Sequence, residues 1–212
     1  MRALIFDVFG TCVDWRTSIQ RVGKRFGLPE RFADDWRAQY QPQLETVRSG
    51  ARPWVNLDVL HRIGLDRVLR DMELTLAEPQ RAELTRAWHR LDPWPDVVEG
   101  LTRLKESHII APCSNGHIAQ SVNLAKHAGL PWDAILGAEI AHAYKPDPSV
   151  YAKSVDALGL EPHEVCMVAA HRDDLIAAKA VGLQTAFVPR PQEPEGPPFD
   201  ADFVAWDFLE LP

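Results

Sequence analysis

The sequence predicts an α/β protein: a parallel sheet core, interrupted after its first strand by a helical insertion. Three observations carry this reading. A short apolar run, Ala3-Leu-Ile-Phe-Asp-Val-Phe9, opens the chain and ends at Gly10-Thr11. Residues 14–92 then show helical spacing of Leu, Trp and Arg, with little that reads as strand. After Pro93-Trp94-Pro95, short apolar runs alternate with amphipathic stretches. That alternation is the signature of βαβ units, and hence of a parallel sheet covered on both faces.

In order, the opening run is apolar at nearly every position, as a strand buried on both faces requires. Helical spacing recurs at 31–47, 55–71 and 79–91, and the whole insertion is read as four or five helices. Beyond it the pattern predicts a helix at 96–106 and a strand at 108–113 that ends at Ser114-Asn115-Gly116. A helix at 118–127, a short strand at 134–136, a helix at 148–158 and a strand at 165–169 follow. The series closes with a helix at 174–181 and a strand at 184–188. Residues 189–198 hold five of the 17 prolines with Glu193, Glu195 and Gly196, and read as an exposed loop whose acids are solvated. Residues 202–211 are a terminal strand or helix packed on the core. The expected division is a core of 1–13 with 93–212, and a cap of 14–92.

Composition narrows the function. The chain has 212 residues, 46% hydrophobic and 25% charged, enough for a real core. A net charge of −7 without a basic run speaks against nucleic acid, yet leaves room for a small anion held by one or two buried Arg or Lys. Three widely spaced cysteines, Cys12, Cys113 and Cys166, contain no CxxC pair, so neither a disulfide framework nor a zinc site is expected. No apolar run approaches the ~18 residues of a membrane span, and Met1-Arg2 leads straight into a strand. A cytoplasmic protein without a membrane partner is the expectation.

In open parallel sheets ligands bind outside the carboxyl ends of the strands. The polar residues expected at that edge come from four separate segments. They are Asp7 with Thr11, Ser114-Asn115, Tyr144-Lys145-Pro146-Asp147, and His171-Arg-Asp-Asp174. Singly, each has a bland reading: a buried Asp caps a loop, and Ser-Asn makes a turn. Two carboxylates, an ammonium, a hydroxyl and an amide converging on one edge are hard to explain by packing alone.

Asp7-Val-Phe-Gly-Thr11, Ser114-Asn115-Gly116, Lys145-Pro146 and Asp174-Leu-Ile-Ala-Ala-Lys-Ala-Val-Gly182 resemble, in order and spacing, the four motifs of the haloacid dehalogenase superfamily. The resemblance implies a Rossmann-like core with a helical cap and an Asp7 that acts as covalent nucleophile. The superfamily holds mostly magnesium-dependent phosphatases and, less often, 2-haloacid dehalogenases. Two positions decide between them. The phosphatases carry a second Asp where this chain has Phe9, and use it to protonate a leaving alkoxide. A halide leaves as an anion and needs no proton, so an apolar residue serves there and desolvates the nucleophile. The phosphatases also carry a metal-binding Asp where this chain has Ala170. Mg²⁺ wants an octahedron of oxygens, and only Asp7 and Asp174 remain to supply carboxylates. No metal and no cofactor are expected.

The dehalogenase resemblance implies the roles. Asp7 attacks the halogen-bearing carbon and forms an ester. Asp174 orients or deprotonates the hydrolytic water and pairs with Lys145. Lys145 and Ser114 neutralise and hydrogen-bond the Asp7 carboxylate, and Thr11 stabilises the oxyanion or holds the substrate carboxylate. The stretch Asp34-Asp-Trp-Arg37-Ala-Gln-Tyr40 resembles the family segment whose Arg accepts the halide, which nominates Arg37, with Asn115 and Tyr40 beside it. Tyr151 matches a family tyrosine. The fourth motif departs from the family: Ala169-Ala-His171 replaces a Ser-Ser-Asn. His171 is read as a donor to the departing halide, as a positioner of water, or as a residue that merely packs on Asp7 or Asp174. A small hard halide such as fluoride would suit that pocket. Asp174 is preferred over Asp173 because the helix of the motif follows it.

The expected reaction is hydrolysis of short 2-haloalkanoic acids such as chloroacetate, 2-chloropropionate and fluoroacetate to 2-hydroxy acids. A metal-dependent phosphatase and a non-catalytic binding protein are the rivals. The second has no need of the Asp7, Lys145 and Asp174 charges. His117 reads as the start of a helix and Cys113 as inert packing. Trp36 and Trp54 read as core or as pocket lining. A homodimer is an expectation from the resemblance alone.

Overall fold

The computed structural model describes every residue except Glu195, Pro197 and Pro198. Strand β1 (Ala3–Phe6) is followed by β2 (Val13–Asp14) and five helices, α1 (Trp15–Arg25), α2 (Phe32–Ala38), α3 (Tyr40–Arg48), α4 (Leu57–Asp71) and α5 (Glu78–Ala87). Then come β3 (Asp92–Pro93), α6 (Val97–Lys105), β4 (Ile109–Ser114), α7 (Ile118–Ala128), β5 (Leu136–Gly137) and α8 (Ala138–Ala141). The chain closes with α9 (Pro148–Ala157), β6 (Val165–Ala169), α10 (Arg172–Ala180), β7 (Gln184–Phe187) and β8 (Phe203–Val204).

Six strands form one sheet in the order β5-β4-β1-β6-β7-β8, each pair parallel. This is the α/β architecture the alternating pattern predicts. β1 is central, and all four of its residues are fully buried. Its side chains alternate between two apolar clusters: Leu4 and Phe6 face one, Ala3 and Ile5 the other. The register pairs Phe6 with Pro112 of β4 and with Val168 of β6. The carboxyl ends of these three strands therefore finish level, and the residues that follow share one edge.

The helices of the insertion join the Leu4–Phe6 side. Trp36, Leu44, Leu57, Leu65, Leu84 and Trp88 belong to the same cluster as Leu4 and Phe6. Trp88 is its hub. Its ring centroid lies 4.3 Å from His61, 5.5 Å from Trp36, 5.9 Å from Phe9 and 6.2 Å from Trp15. Truncating so buried an indole to Ala costs about 3–5 kcal/mol by the usual behaviour of aromatic core deletions.

Differences from the sequence reading have local causes. One helix was expected over 31–47, but the structure has two, α2 and α3. Pro42 lies in the first turn of α3 and has no N–H to give the Ala38 carbonyl, so the backbone tightens at Gln39, whose N–H bonds the Trp36 carbonyl at 3.0 Å. The pairing of β2 with β3, Val13 with Pro93 and Asp14 with Asp92, was not expected. Two residues a side carry no readable period, yet this pairing ties together the two ends of the insertion. α10 begins at Arg172 rather than at 174, which leaves His171 as its N-cap. The terminal segment left open between strand and helix contains a strand, β8. The loop reading at 189–198 lies partly outside the described residues, at Glu195, Pro197 and Pro198.

Candidate active site

A cleft of about 910 Å³ opens at the carboxyl edge of the sheet, between that edge and α2–α3. Asp7 stands at its floor, one residue beyond β1, with its N–H bonded to the Val168 carbonyl at 2.9 Å. Both carboxylate oxygens are engaged, unequally. Oδ1 accepts from Lys145 Nζ at 3.0 Å. Oδ2 accepts from the Thr11 hydroxyl at 2.7 Å and from His171 Nδ1 at 3.0 Å. Thr11 is held in turn by the Ala170 N–H, which donates to its Oγ1 at 2.9 Å. Burial by itself would raise the Asp7 carboxyl, but Lys145 first, then His171 and Thr11, hold it well below the usual carboxylate range.

Lys145 bridges the two carboxylates. Its Nζ lies 3.0 Å from Asp7 Oδ1 and 2.5 Å from Asp174 Oδ2. The other Asp174 oxygen accepts from the Tyr151 hydroxyl at 2.5 Å. Burial is the largest influence on Asp174 and raises it. Lys145 opposes the rise and the Asp7 charge adds to it. One ammonium thus serves a carboxylate held strongly ionised and another pushed towards neutrality. Asp173, the other candidate, is exposed, whereas Asp174 is buried.

His171 reaches in two directions. While Nδ1 faces Asp7, Nε2 lies 2.8 Å from Glu193 Oε2. Burial alone would lower this imidazole, but the hydrogen bonds and charges of Asp7 and Glu193 push it up to about 10. It is an imidazolium at neutral pH that donates from both nitrogens. The other Glu193 oxygen accepts from the Trp15 indole N–H at 2.7 Å, which links the loop to the insertion. A Cβ on Gly10, at φ +90°, would collide with the Glu193 carboxylate, so both backbone conformation and close approach call for glycine there.

Glu193 corrects the reading of the proline-rich loop as solvated surface. Its side chain is only 7% exposed and carries the second carboxylate of the His171 bridge. Arg190 anchors the same loop. Its guanidinium forms paired 2.8 Å bonds with Asp96, and its Nε donates to the Thr11 carbonyl at 2.9 Å. No periodicity or short motif marks Glu193, because its partners Trp15 and His171 lie far away in sequence.

The opposite wall comes from α2 and α3. Arg37 stacks over Tyr40, with Cζ 4.2 Å from the ring centroid, and over Trp15 at 5.3 Å. Its Nη1 is buried and has no hydrogen-bond partner among the described residues. The Tyr40 hydroxyl accepts from Asn115 Nδ2 at 3.0 Å, and Asn115 Oδ1 accepts the Lys145 N–H at 2.8 Å. Phe9 is 4% exposed, lines the cleft and meets Trp88 edge-on, so it is both core and lining.

The structure thus brings Asp7, Lys145, His171, Asp174, Tyr151, Asn115, Tyr40, Phe9 and Arg37 around one space, with Thr11 buried behind Asp7. Ser114 is the exception. Its Oγ accepts from the Gly116 N–H at 3.1 Å and makes no hydrogen bond to Asp7 among the described residues. The tight turn after β4 uses the oxygen that was expected at the carboxylate. Trp36 is core, its indole N–H donating to the His61 carbonyl at 2.9 Å, and Trp54 stacks on His142 away from the cleft. His117 is the N-cap of α7, as the start of a helix should be.

A divalent cation fits poorly at this edge. All four oxygens of Asp7 and Asp174 already face a cationic or hydroxyl donor, Lys145 sits between the two, and the Ala170 methyl offers no ligand.

Comparison with known proteins agrees with this geometry. Residues 1–182 match the family model described as haloacid dehalogenase-like hydrolase. The (S)-2-haloacid dehalogenase 4A of Burkholderia cepacia is 30% identical over 198 residues, covering 92% of this chain and 85% of that protein. The crystal structure of a defluorinating L-2-haloacid dehalogenase is similar with a TM-score of 0.94 and 45% identity, covering 99% of this chain and 92% of that one. Another L-2-haloacid dehalogenase structure is similar with a TM-score of 0.94 and 44% identity, covering 99% and 96%.

Proposed function

This chain belongs to the haloacid dehalogenase-like hydrolases, and we propose that within that family it is a hydrolytic (S)-2-haloacid dehalogenase that works through an ester on Asp7. The observation that carries this is the pairing, across one cleft, of a buried ionised Asp7 with an Arg37 whose buried Nη1 has no partner among the described residues. The first supplies a nucleophile, and the second awaits an anion.

In the first step Asp7 Oδ1, which carries one donor against the two on Oδ2, attacks the carbon bearing the halogen from the side opposite the leaving group. The C–O bond forms as the carbon–halogen bond breaks, and the halide leaves towards Arg37 with Asn115 and Tyr40 beside it. No general acid is needed, and Phe9 keeps water from the carboxylate. In the second step water attacks Cγ of Asp7. Asp174 takes its proton, and burial raises that carboxyl towards the pH at which a general base works well. The negative charge that grows on Oδ2 falls where Thr11 and the His171 imidazolium already donate. Collapse breaks the ester bond, the departing alkoxide takes back the proton held by Asp174 to give the 2-hydroxy acid, and the Asp7 carboxyl loses its proton to solvent, which restores both carboxylates. Lys145 and Tyr151 hold Asp174 throughout, and Ser114 shapes the turn that presents Asn115.

The core of 1–13 with 93–212 then carries the covalent chemistry, and the cap of 14–92 supplies the anion-binding wall. Chloroacetate and 2-chloropropionate are the substrates of this reading. Fluoroacetate joins them on the strength of the 45% identity to a structure described as defluorinating. A soluble, cytoplasmic homodimer completes the proposal, and no helix of the described residues is long and apolar enough to cross a membrane. The test is halide release from the three acids in EDTA, run beside phosphate release from small phosphate esters with Mg²⁺. Halide release in EDTA is expected. Phosphate release that needs metal, with no halide release, overturns the proposal.

A further inference from the structure

A second cluster of metal-ligand side chains lies outside the cleft. Asp58 stands in the first turn of α4, His89 just beyond α5, and His117 directly before α7. Two belong to the insertion and one to the sheet side. Their ligand atoms lie within 4.8 Å of one another. The His89 and His117 side chains are 8% and 6% exposed, and Asp58 is 30% exposed. His89 Nε2 is 2.9 Å from Asp58 Oδ1, and His117 Nε2 is 3.6 Å from Asp58 Oδ2. The second separation is too long for a hydrogen bond. His117 Nδ1 is buried and has no partner, so among the described residues neither nitrogen of this ring makes a hydrogen bond.

We infer that Asp58, His89 and His117 form a binding site for a first-row divalent metal ion, zinc foremost, that ties the insertion to the sheet. Two imidazoles and a carboxylate are a zinc donor set. Ligand atoms about 2.0 Å from a tetrahedral ion stand roughly 3.3 Å apart. Measured to the same Asp58 oxygen, Oδ2, His89 Nε2 lies at 3.1 Å and His117 Nε2 at 3.6 Å, which straddle that value. His89 now donates its Nε2 proton to Asp58 while Nδ1 meets the Asn123 amide at 3.0 Å. On metal binding that proton moves to Nδ1, and Asn123, turned about its amide, accepts from Nδ1 through Oδ1. Asp58, with a side chain 30% exposed, leaves the cluster open on one side, which gives the ion a way in and room for a fourth ligand.

The probe is Co²⁺, whose visible absorption reports a tetrahedral nitrogen–oxygen site, added to full-length protein stripped with EDTA. One equivalent of absorbing Co²⁺, displaced by Zn²⁺, is expected. Zinc at a hundredfold excess over its Kd should raise the melting midpoint by about 5–10 °C. His117→Gln and Asp58→Asn should each lose the absorption and most of the shift, and the melting curve of each variant without metal shows that it is folded. Asp7→Asn should keep both, since the ion sits outside the cleft. Absence of absorption and shift in the parent protein overturns the inference. So does their survival in both cluster variants, or their loss in Asp7→Asn.

Discussion

The two walls of the cleft differ in how their charges are matched. On the sheet side Asp7, Lys145, Asp174, His171 and Glu193 form an unbroken chain of ion pairs, each oxygen and nitrogen facing a partner. On the side of α2 and α3, Arg37 lies flat between Trp15 and Tyr40 with a buried nitrogen that no group of the described residues accepts. A saturated network holds a nucleophile still and keeps it ionised. An unsatisfied guanidinium over aromatic faces is a weakly hydrated seat for an anion that arrives later. The protein thus puts preorganisation on one wall and affinity on the other.

Removing the nucleophile breaks the contrast most completely. Asp7→Asn should cut halide release by a thousandfold or more, on the order seen when a covalent nucleophile is lost, and initial-rate assays read it directly. Residual activity near the parent level would place the chemistry elsewhere. Asp174→Asn should separate the two steps. Alkylation of Asp7 continues while ester hydrolysis slows by about a hundredfold or more, so intact-protein mass spectrometry should show a stable adduct with chloroacetate. A variant that slows without accumulating adduct would deny Asp174 its part in the second step.

On the other wall, Arg37→Lys keeps the charge but loses the planar, stacked fork. A loss of about tenfold to a hundredfold in kcat/KM is expected, with weaker inhibition by free halide in the same assays. Unchanged halide inhibition would remove the anion seat from Arg37. The smallest effect is a pH shift. His171 is raised to about 10, so its imidazolium persists below that pH and is lost as pH rises through it. Activity that depends on the charged ring should therefore fall on the alkaline side near 10. Glu193→Gln removes one of the two carboxylates that raise the ring, and the alkaline limb should move towards neutrality while the rate at pH 6 changes little. A limb that stays in place would mean that Asp7 alone sets the ring.

Much of this was legible because it is local. An apolar run closed by Gly10-Thr11 specifies β1 and its turn within eleven residues, and so fixes where Asp7 stands. Lys145 and Asp174 could be assigned to the same edge because a parallel sheet brings every strand's carboxyl end to one side. What escaped was non-local or too short to carry a period. Glu193 follows β7 in sequence, yet it acts on a ring at the head of α10 and an indole at the head of α1. The β2–β3 pairing spans two residues a side. Ser114 was misjudged for a different reason: residue type and motif position matched the expectation, but the turn used its oxygen for Gly116. Pro42 was visible in the sequence and should have divided 31–47, since proline in the middle of a long helix removes a bond.

The placement of Glu193 has a consequence for how such an enzyme can be tuned. Loops tolerate changes of length and composition that a central strand does not. One of the two carboxylates that raise the proton affinity of His171 is carried on such a loop and enters the cleft over Gly10, where the absence of a side chain leaves it a berth. Alkaline tolerance is therefore adjustable from the rim, by exchanging a surface segment, while the strands that aim the nucleophile stay as they are.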